Sequence, residues 1–395
     1  MTVMSVPPKA SARVASITGG SDGWEVFQRA RDMVAKGIPV TELTIGEHDI
    51  LTDPRILDAM DRAARAGHTG YAAIPGTPAL RAAIAARLEQ RTAVRTRPEN
   101  VLVTPGGQAA LFAAHMAACD PGDKALYIEP YYATYPGTIR SAGAQAYAIE
   151  TLAENGFRPD PQHIADCANE AASLLINTPN NPTGQVYHRE LLEGLAEVVR
   201  NAGLWLISDE VYDTQVWCGA HLSARALPGM AERTLVVGSL SKSHAMTGSR
   251  LGWVVGPEDT IARLIDLATT TNYGVPGFIQ DAGLFALEQG AEFEAEIAEP
   301  FQRRRALALD HLANRPGLRV LEPEAAMYVM VDIRDTGLSG IEFANRLLDE
   351  CRIAVMPGES FGASARGHLR VALTLDDGVL AQALDQIANF ARKFL

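Results

Sequence analysis

Short apolar runs alternate with amphipathic stretches along this chain, and the alternation predicts its strands and helices. The apolar runs of strand length between turn residues are 101–104, 124–129, 173–177, 204–208, 234–237 and 251–255. Apolar residues at helical spacing predict helices over 24–35, 55–67, 78–92, 109–119 and 291–312. Strands that alternate with helices favour a mainly parallel α/β sheet, which strand 251–255 is expected to close. The ligand of such a sheet lies at the carboxyl ends of its strands.

A second, smaller unit is predicted after this sheet. The apolar runs that follow the charged helix 291–312 indicate an α+β domain with strands at 318–321, 327–332, 353–356 and 368–372. A chain of 395 residues is also too long for one simple core and suits two domains. We therefore predict three regions: an N-terminal arm with part of the small domain over 1–50, a large domain over 51–290, and the small C-terminal domain over 291–395.

The N-terminal region has weaker patterns. The tail as far as Gly20 carries a proline pair and small polar residues, so an arm or a partly disordered segment is expected. Residues 43–49 are predicted to form a short strand that runs into a turn at Gly46.

Composition and charge exclude several classes of protein. The formal net charge is −12 and no run of Lys or Arg forms a basic patch, so neither a nucleic acid nor an anionic membrane is a predicted partner. No apolar stretch approaches the roughly 20 residues of a membrane helix, and the first twenty residues do not resemble a signal peptide. The four cysteines lie far apart without CxxC spacing, which predicts neither a metal site nor a disulfide framework. A cytoplasmic enzyme is expected.

The most informative stretch is 238–253, which follows the apolar run 234–237. Lys242 at the mouth of a strand can bond covalently to an aldehyde cofactor, while Ser239 and Arg250 can donate to a phosphate tail. A Ser-x-x-Lys sequence alone is more often a polar loop with a solvated lysine. Matching parts elsewhere in the chain, in matching order, favour the cofactor site.

Two of those parts lie at the ends of other predicted strands. Gly106 and Gly107 connect strand 101–104 to helix 109–119, and a glycine turn before a helix presents backbone N–H groups and a positive dipole end to an anion. Asp209 ends the apolar strand 204–208, where a buried carboxylate needs a positive partner.

Taken in order, these motifs resemble those of the class I/II aminotransferases of fold type I. The resemblance extends from Trp24 to Leu395 and includes the strings Asn-Pro-Thr-Gly at 181–184 and Asp-Glu-Val-Tyr at 209–212. It implies pyridoxal 5'-phosphate as the cofactor, a seven-stranded large sheet, and a homodimer with shared active sites. More narrowly, residues 239–248, 252–257, 273–282, 330–334 and 336–339 resemble bacterial arginine–pyruvate aminotransferases.

The resemblance also implies a role for each site residue. Lys242 is the catalytic lysine, Tyr132 stacks on the pyridine ring, and Asp209 pairs with the ring nitrogen. The remaining residues implied to bind the cofactor are Gly106, Gly107, Gln108, Asn181, Tyr212, Ser239, Ser241, Arg250 and, from the partner subunit, Tyr71. Substrate binding is implied for Gly46, Asn181 and Arg370, with Arg370 pairing with the α-carboxylate. Tyr131 and Tyr135 are expected to pack in the core, and Glu210 has no assigned role.

Substrate preference is predicted less directly. Aspartate-specific relatives often carry a lysine after the Gly-Gly pair, whereas this chain has the uncharged Gln108, which weakens a dicarboxylate assignment without excluding it. Three positions depart from the family pattern: His48 replaces a proline, Ile50 an aromatic residue, and Ser249 another aromatic residue. These changes put specificity in doubt, whereas the cofactor assignment survives them.

The predicted function is ping-pong transamination from an arginine-like L-amino acid to a 2-oxo acid such as pyruvate. An aspartate or aromatic aminotransferase, or a fold-type I lyase or decarboxylase, would use the same cofactor residues. A transcription regulator with an aminotransferase-like domain would need a DNA-binding module, for which the stretch before Trp24 is expected to be too short. A soluble α/β domain without chemistry would require several accidental motif matches.

Overall fold

The computed structural model describes residues 9–18 and 24–395. Its strands are β1 Thr41–Leu43, β2 Val101–Thr104, β3 Lys124–Ile128, β4 Gln145–Ile149, β5 Ala171–Asn177, β6 Trp205–Asp209, β7 Thr234–Ser239, β8 Gly252–Val255, β9 Arg319–Leu321, β10 Tyr328–Asp332, β11 Ile353–Pro357 and β12 His368–Ala372. Its α-helices are α1 Ala12–Ala15, α2 Trp24–Ala35, α3 Pro54–Arg65, α4 Pro78–Thr92, α5 Gly107–Ala118, α6 Tyr135–Ala142, α7 Pro161–Cys167, α8 Arg189–Ala202, α9 Leu240–Ser243, α10 Glu258–Thr271, α11 Gly277–Glu288, α12 Gly290–Leu312, α13 Gly340–Cys351 and α14 Asp377–Ala391.

The large sheet has seven strands in the order β2-β8-β7-β6-β5-β3-β4. Neighbours from β7 to β4 pair in parallel, whereas β8 is antiparallel to both β2 and β7. The predicted mainly parallel seven-stranded sheet of fold type I is thus confirmed. The expectation that strand 251–255 closes the sheet is wrong, because β8 lies between β2 and β7 with partners on both sides.

Alternation of side chains along a strand explains why this sheet is buried on both faces. In β7, Leu235 and Val237 pack in one apolar cluster with Ala110 and Ala114 of α5. Val236 points to the opposite face and packs in another cluster with residues of α11. Successive side chains of a strand point to opposite faces, so a strand with helices on both sides needs a continuous apolar run.

The second sheet has five strands in the order β1-β11-β12-β10-β9. Strand β1 pairs in parallel with β11, and the other pairs are antiparallel. Buried residues of α13 and α14, such as Phe343 and Leu384, form its apolar core together with Phe301 of α12. The predicted domain bounds at 50/51 and 290/291 stay a prediction.

Near the N-terminus, the predicted strand 43–49 is misplaced, because pairing with β11 ends at Leu43. Beyond that point, the backbone carbonyls accept hydrogen bonds from side chains instead of from a neighbouring strand. Arg370 donates to the Thr44 oxygen, and Thr374 Oγ1 donates to the Ile45 oxygen at 3.2 Å. The chain therefore leaves the sheet and enters a loop that contains Gly46.

The predicted arm is partly helical. Residues 12–15 form the short helix α1, and Arg140 holds the turn after it by donating to the Ser16 and Ile17 carbonyls, each at 2.7 Å. The rest of the tail, residues 1–8 and 19–23, lies outside the described residues. Over the part of the chain that is described, no helix has both the length and the apolar character required to cross a membrane.

A buried histidine in α5 makes the stability of this fold depend on pH in the acidic range. His115 is fully buried, and neither ring nitrogen has a hydrogen-bond partner among the described residues. Burial lowers the pKa of His115 from 6.5 to about 4. As the pH falls below about 6.5, the unfolded chain takes up a proton that the folded protein cannot take up until about pH 4, so stability is lost across this window.

We therefore expect His115→Leu to remove on the order of 2 kcal/mol of the acid destabilisation between about pH 7 and about pH 5. Urea unfolding at both pH values measures this difference in the free energy of unfolding. The exposed His163 of α7 provides the control, as His163→Leu should keep the wild-type pH dependence. An unchanged pH dependence in His115→Leu would show that this histidine does not contribute.

Candidate active site

The predicted site residues gather at one edge of the large sheet. Strands β5, β6 and β7 run parallel and end there at Asn177, Asp209 and Ser239. Because β8 runs in the opposite direction, Arg250 reaches the same edge just before that strand begins. A cavity of about 280 Å³ opens at this edge. The predicted site residues that line it are Gly46, Gly107, Gln108, Tyr132, Asn181, Asp209, Tyr212, Ser239, Ser241, Lys242 and Arg250.

Three predicted residues do not line the cavity. Gly106 lies next to the guanidinium of Arg250, which does line the cavity. Arg370 lies behind it and contacts the lining residue Asn181. Tyr71 is 92% exposed and packs its ring edge-on against Tyr273, with 5.1 Å between centroids.

Lys242 lies in the single turn of α9 that follows β7. Its Nζ donates to the carbonyl of Gly46, so the lysine connects the sheet edge to the loop after β1. Burial lowers the pKa of Lys242, and the charges of Arg370 and Arg250 lower it further. A lowered pKa makes the neutral amine more available as a nucleophile and as a base.

One end of the cavity is built for an anion. Gly106 has φ of 82° before α5, and a Cβ there would come within 2.4 Å of Arg250 Nη2, so only glycine fits beside the guanidinium. The amino end of α5, the Ser239 hydroxyl and Arg250 face the same space. Arg250 donates to the Thr247 carbonyl at 2.9 Å and has no carboxylate within ion-pair distance among the described residues.

Another part of the cavity is built for a cation. The Asp209 carboxylate is only 4% exposed; it accepts from the Tyr135 hydroxyl at 2.7 Å and from the Val211 N–H at 3.3 Å. No cationic side chain of the described residues pairs with it. Burial raises the pKa of Asp209 to about 6, and a positively charged ligand would oppose that effect.

A buried arginine lies on the side of the small sheet. The guanidinium of Arg370 is held between the rings of Tyr328 and Phe361, 4.4 and 4.6 Å from their centroids. It donates to Asn181 Oδ1 at 2.9 Å and to the Thr44 carbonyl, while its Nε has no partner among the described residues. A buried cation without a carboxylate partner is suited to an anionic ligand.

Tyr328 is a site residue that sequence reasoning missed. Its hydroxyl lies 2.9 Å from that of Tyr212, and its ring covers Arg370. A Cβ at Gly46 would come within 1.7 Å of this hydroxyl, which gives a structural reason for glycine there besides the substrate contact that the resemblance implies. Tyr328 begins β10 in the other sheet, so no local pattern could have connected it to the site.

The structure adds to two further interpretations of the sequence. The expectation that Tyr135 only packs in the core is incomplete, because its buried hydroxyl donates to Asp209. Its position only three residues after Tyr132, at the start of α6, was a signal that could have placed both tyrosines at the site. Glu210 is buried behind the site, where it accepts from Ser208 Oγ at 2.9 Å and Ser223 Oγ at 2.7 Å.

The loop that carries His48, one of the departures from the family pattern, is bound to α12 by side-chain contacts. Arg304 donates to both carboxylate oxygens of Asp49, at 2.8 and 2.7 Å, and is itself 4% exposed. The His48 ring packs edge-on against Phe301 with 5.1 Å between centroids, and burial lowers the pKa of His48 to about 3. The imidazole is therefore neutral and anchors the loop by packing in place of a rigid proline.

The family model for aminotransferase class I and II matches residues 38–387. The arginine–pyruvate transaminase AruH of Pseudomonas aeruginosa is 42% identical over 377 residues, which is 95% of this chain and 96% of that protein. The aspartate/prephenate aminotransferase of Thermus thermophilus is 35% identical over 369 residues, 92% of this chain and 94% of that protein.

Solved structures of aminotransferases are similar to this chain along most of its length. The aspartate aminotransferase from Thermus thermophilus with maleate has a TM-score of 0.91 at 34% identity, covering 97% of this chain and all of that chain (100%). The aromatic aminotransferase from Pyrococcus horikoshii has a TM-score of 0.87 at 31% identity, covering 93% and 100%. The chain belongs to the class I and II aminotransferase family.

Proposed function

We propose that this aminotransferase moves the α-amino group of an arginine-like L-amino acid to a 2-oxo acid such as pyruvate, using pyridoxal 5'-phosphate. Enzymes of this family depend on that cofactor, and the donor and acceptor are those named for the Pseudomonas relative. The observation that carries the donor assignment is the charge of the cavity wall: among the described residues that line it, the cations are Lys242 and Arg250, which the cofactor would engage, so neither is left to meet a distal carboxylate.

The cavity fits the cofactor in its charge pattern. Within the described residues, Asp209 has no cationic partner and would pair with a protonated pyridine nitrogen, while Arg250 has no anionic partner and would hold the phosphate together with Ser239 and the amino end of α5. Lys242 would bond to the aldehyde carbon. When bound, the protonated ring supplies an electron sink for the bond that breaks at the substrate Cα.

The residues of the chain then position and deprotonate the substrate. Arg370 would bind the α-carboxylate with two donors of its planar guanidinium, after its present bond to Asn181 is exchanged. Lys242 Nζ would be released from the aldehyde carbon when the substrate amino group displaces it. The freed amine, with its lowered pKa, would then take the proton from Cα and deliver it to that former aldehyde carbon. Asn181 and Tyr212 would donate to the phenolic oxygen of the cofactor, with Tyr328 holding the Tyr212 hydroxyl.

The side-chain end of the cavity favours a cationic donor over a dicarboxylate. The amide of Gln108 is uncharged and already engaged, donating to Thr138 Oγ1 at 2.6 Å and accepting from Thr134 Oγ1 at 2.9 Å. Glu47 lines the mouth, where it accepts from Thr247 Oγ1 at 3.0 Å. A carboxylate at the mouth attracts a guanidinium and repels a second carboxylate.

An aspartate or aromatic donor is the second candidate. The Thermus and Pyrococcus relatives carry those names, and a partner subunit can supply a cation that a single chain does not show. A lyase or decarboxylase would use the same residues around the cofactor and would release ammonia or carbon dioxide without needing a 2-oxo acid.

Single half-reactions with a panel of L-amino acids test these assignments. The absorbance of the cofactor-loaded protein should change fastest with arginine and be restored by pyruvate. Faster change with aspartate or glutamate would keep transamination and overturn the cationic donor. Release of ammonia or carbon dioxide without an acceptor would identify a lyase or decarboxylase, and failure to take up the cofactor would overturn the proposed chemistry.

We also propose a homodimer in which Tyr71 contacts the cofactor phosphate of the neighbouring subunit. An aromatic pair, Tyr71 at 92% and Tyr273 at 53% exposure, is suited to burial by a partner. Sedimentation should give twice the chain mass, and a monomer would exclude this role for Tyr71.

A cytoplasmic location remains a prediction; all four cysteines are free, as is usual in a reducing compartment.

A further inference from the structure

Tyr135 and Asp209 form a buried pair that the proposed function does not explain. Tyr135 begins α6 and Asp209 ends β6, and the two residues are 3% and 4% exposed. The phenolic hydroxyl donates to Asp209 Oδ2 at 2.7 Å. At this length, a hydroxyl that donates to a carboxylate forms a charge-assisted hydrogen bond.

No other side chain among the described residues donates to this carboxylate. The second oxygen, Oδ1, accepts only the longer bond from the Val211 N–H at 3.3 Å, and Asn177 Nδ2 donates to the backbone carbonyl of Asp209 instead. Among the described residues, the other titratable groups close enough to act on Asp209 electrostatically are Tyr132, on the loop before α6, and Glu210, next to it in the chain, while Tyr212, Lys242 and Arg250 line the same cavity. Neither of them donates to the Asp209 carboxylate: no hydrogen bond joins Tyr132 to it in the described structure, and Glu210 accepts from the Ser208 and Ser223 hydroxyls.

Tyr135 is itself held in one orientation. Its ring packs edge-on against Tyr132 with 5.7 Å between centroids. The start of α6 is tied to α5, because Gln108 bonds to both Thr134 and Thr138. Burial and the neighbouring Asp209 raise the pKa of Tyr135 well above its ordinary value, so the hydroxyl keeps its proton and remains a donor at neutral pH.

We propose that Tyr135 is a positioning residue, whose hydroxyl orients the Asp209 carboxylate and keeps it ionised so that it can pair with the protonated ring nitrogen of the cofactor. This inference rests on the proposed function, since it assigns the partner of Asp209. A donor on one carboxylate oxygen leaves the other oxygen free for the ligand, and it favours the charged form of the acid against the effect of burial.

Tyr135→Phe removes this donor without changing the shape of the ring. Binding of the cofactor should weaken as the pH falls, because an increasing fraction of Asp209 is then protonated in the cofactor-free protein. Burial already sets that pKa at about 6, and loss of the donor moves it to higher pH. We expect the variant to bind pyridoxal 5'-phosphate roughly 10-fold more weakly than wild type below about pH 6, with little difference at alkaline pH.

Equilibrium dialysis of the cofactor-free proteins against pyridoxal 5'-phosphate, over a series of pH values, measures this difference. Taking the ratio of the two dissociation constants at each pH cancels the titration of the free cofactor. Tyr127→Phe is the matched control, because it removes a buried tyrosine hydroxyl from the same apolar cluster without removing a donor to Asp209. The dissociation constants of Tyr127→Phe and of the wild type should have a ratio near one at every pH.

The Tyr135→Phe substitution made in an Asp209→Asn protein distinguishes a positioning role of Tyr135 from a general loss of structure. In Asp209→Asn, the group that titrates is absent, so adding Tyr135→Phe should produce no pH-dependent loss. A ratio that stays near one at all pH values, or a loss that is equal at all pH values, would overturn the inference while the wild type still binds the cofactor. If the wild type does not bind the cofactor at all, the proposed function itself fails.

Discussion

Lys242→Ala is expected to lower turnover by roughly 10⁴-fold or more while the cofactor remains bound. Lys242 is the lysine that lines the cavity, and its Nζ is the group placed to bond to an aldehyde and to move the Cα proton. The groups assigned to the phosphate and the ring nitrogen, Arg250 and Asp209, are untouched by the change. The cofactor should therefore be retained without a covalent bond.

Steady-state transamination and mass spectrometry after borohydride reduction measure the two parts of this prediction. The wild type should gain the mass of the reduced cofactor, and Lys242→Ala should not. Lys124→Ala is the control, because Lys124 donates to the Cys167 carbonyl at 2.6 Å on β3 and does not line the cavity. Full turnover in Lys242→Ala would contradict the assignment of this lysine.

The second large effect is expected from Arg370→Lys, which should lower kcat/KM roughly 100- to 1000-fold. The guanidinium is fixed between two aromatic rings and presents two donors in one plane, to Asn181 and to the Thr44 carbonyl. An ammonium group keeps the charge but cannot present two donors in that plane to a carboxylate. The loss should appear mainly in KM.

Because both half-reactions bind an α-carboxylate, the KM for the amino acid and the KM for the 2-oxo acid should rise together, while cofactor affinity stays at the wild-type level. Arg366→Lys, at an exposed position in the same stretch of chain, should behave as wild type. Loss of the cofactor with an unchanged KM would place Arg370 at the cofactor instead of the substrate.

Much of the fold was predictable from local patterns. The strand and helix periods located β2, β5, β6, β7 and β12 to within about two residues, because each buried strand needs a continuous or alternating apolar run whatever its neighbours are. The two short N-terminal segments were harder. The strand after residue 40 ends where side chains from elsewhere, Arg370 and Thr374, replace its backbone partners.

Much of the cavity wall was predictable for a related reason. Parallel strands bring their carboxyl ends to one edge, so Asp209 and Lys242 meet there although their spacing in the chain carries no information about distance. Ser239, Ser241 and Lys242 lie within a single turn, and the Gly-Gly pair begins its own helix. These positions depend on local backbone conformation, which the amino-acid sequence determines directly.

The contacts between these groups were decided only by the tertiary structure. Tyr135 reaches Asp209 across 74 positions, Tyr328 reaches Tyr212 across 116, and Arg370 reaches Asn181 across 189. A periodic pattern shows which face of an element is buried, but the face that it meets depends on how every other element packs. The sequence by itself therefore determined most of the strands, the order of the motifs and the groups available for chemistry, whereas β4 was not predicted and β1 was misplaced. Packing of the two sheets decided which hydroxyl holds Asp209, which ring covers Arg370 and why Gly46 has no room for a side chain.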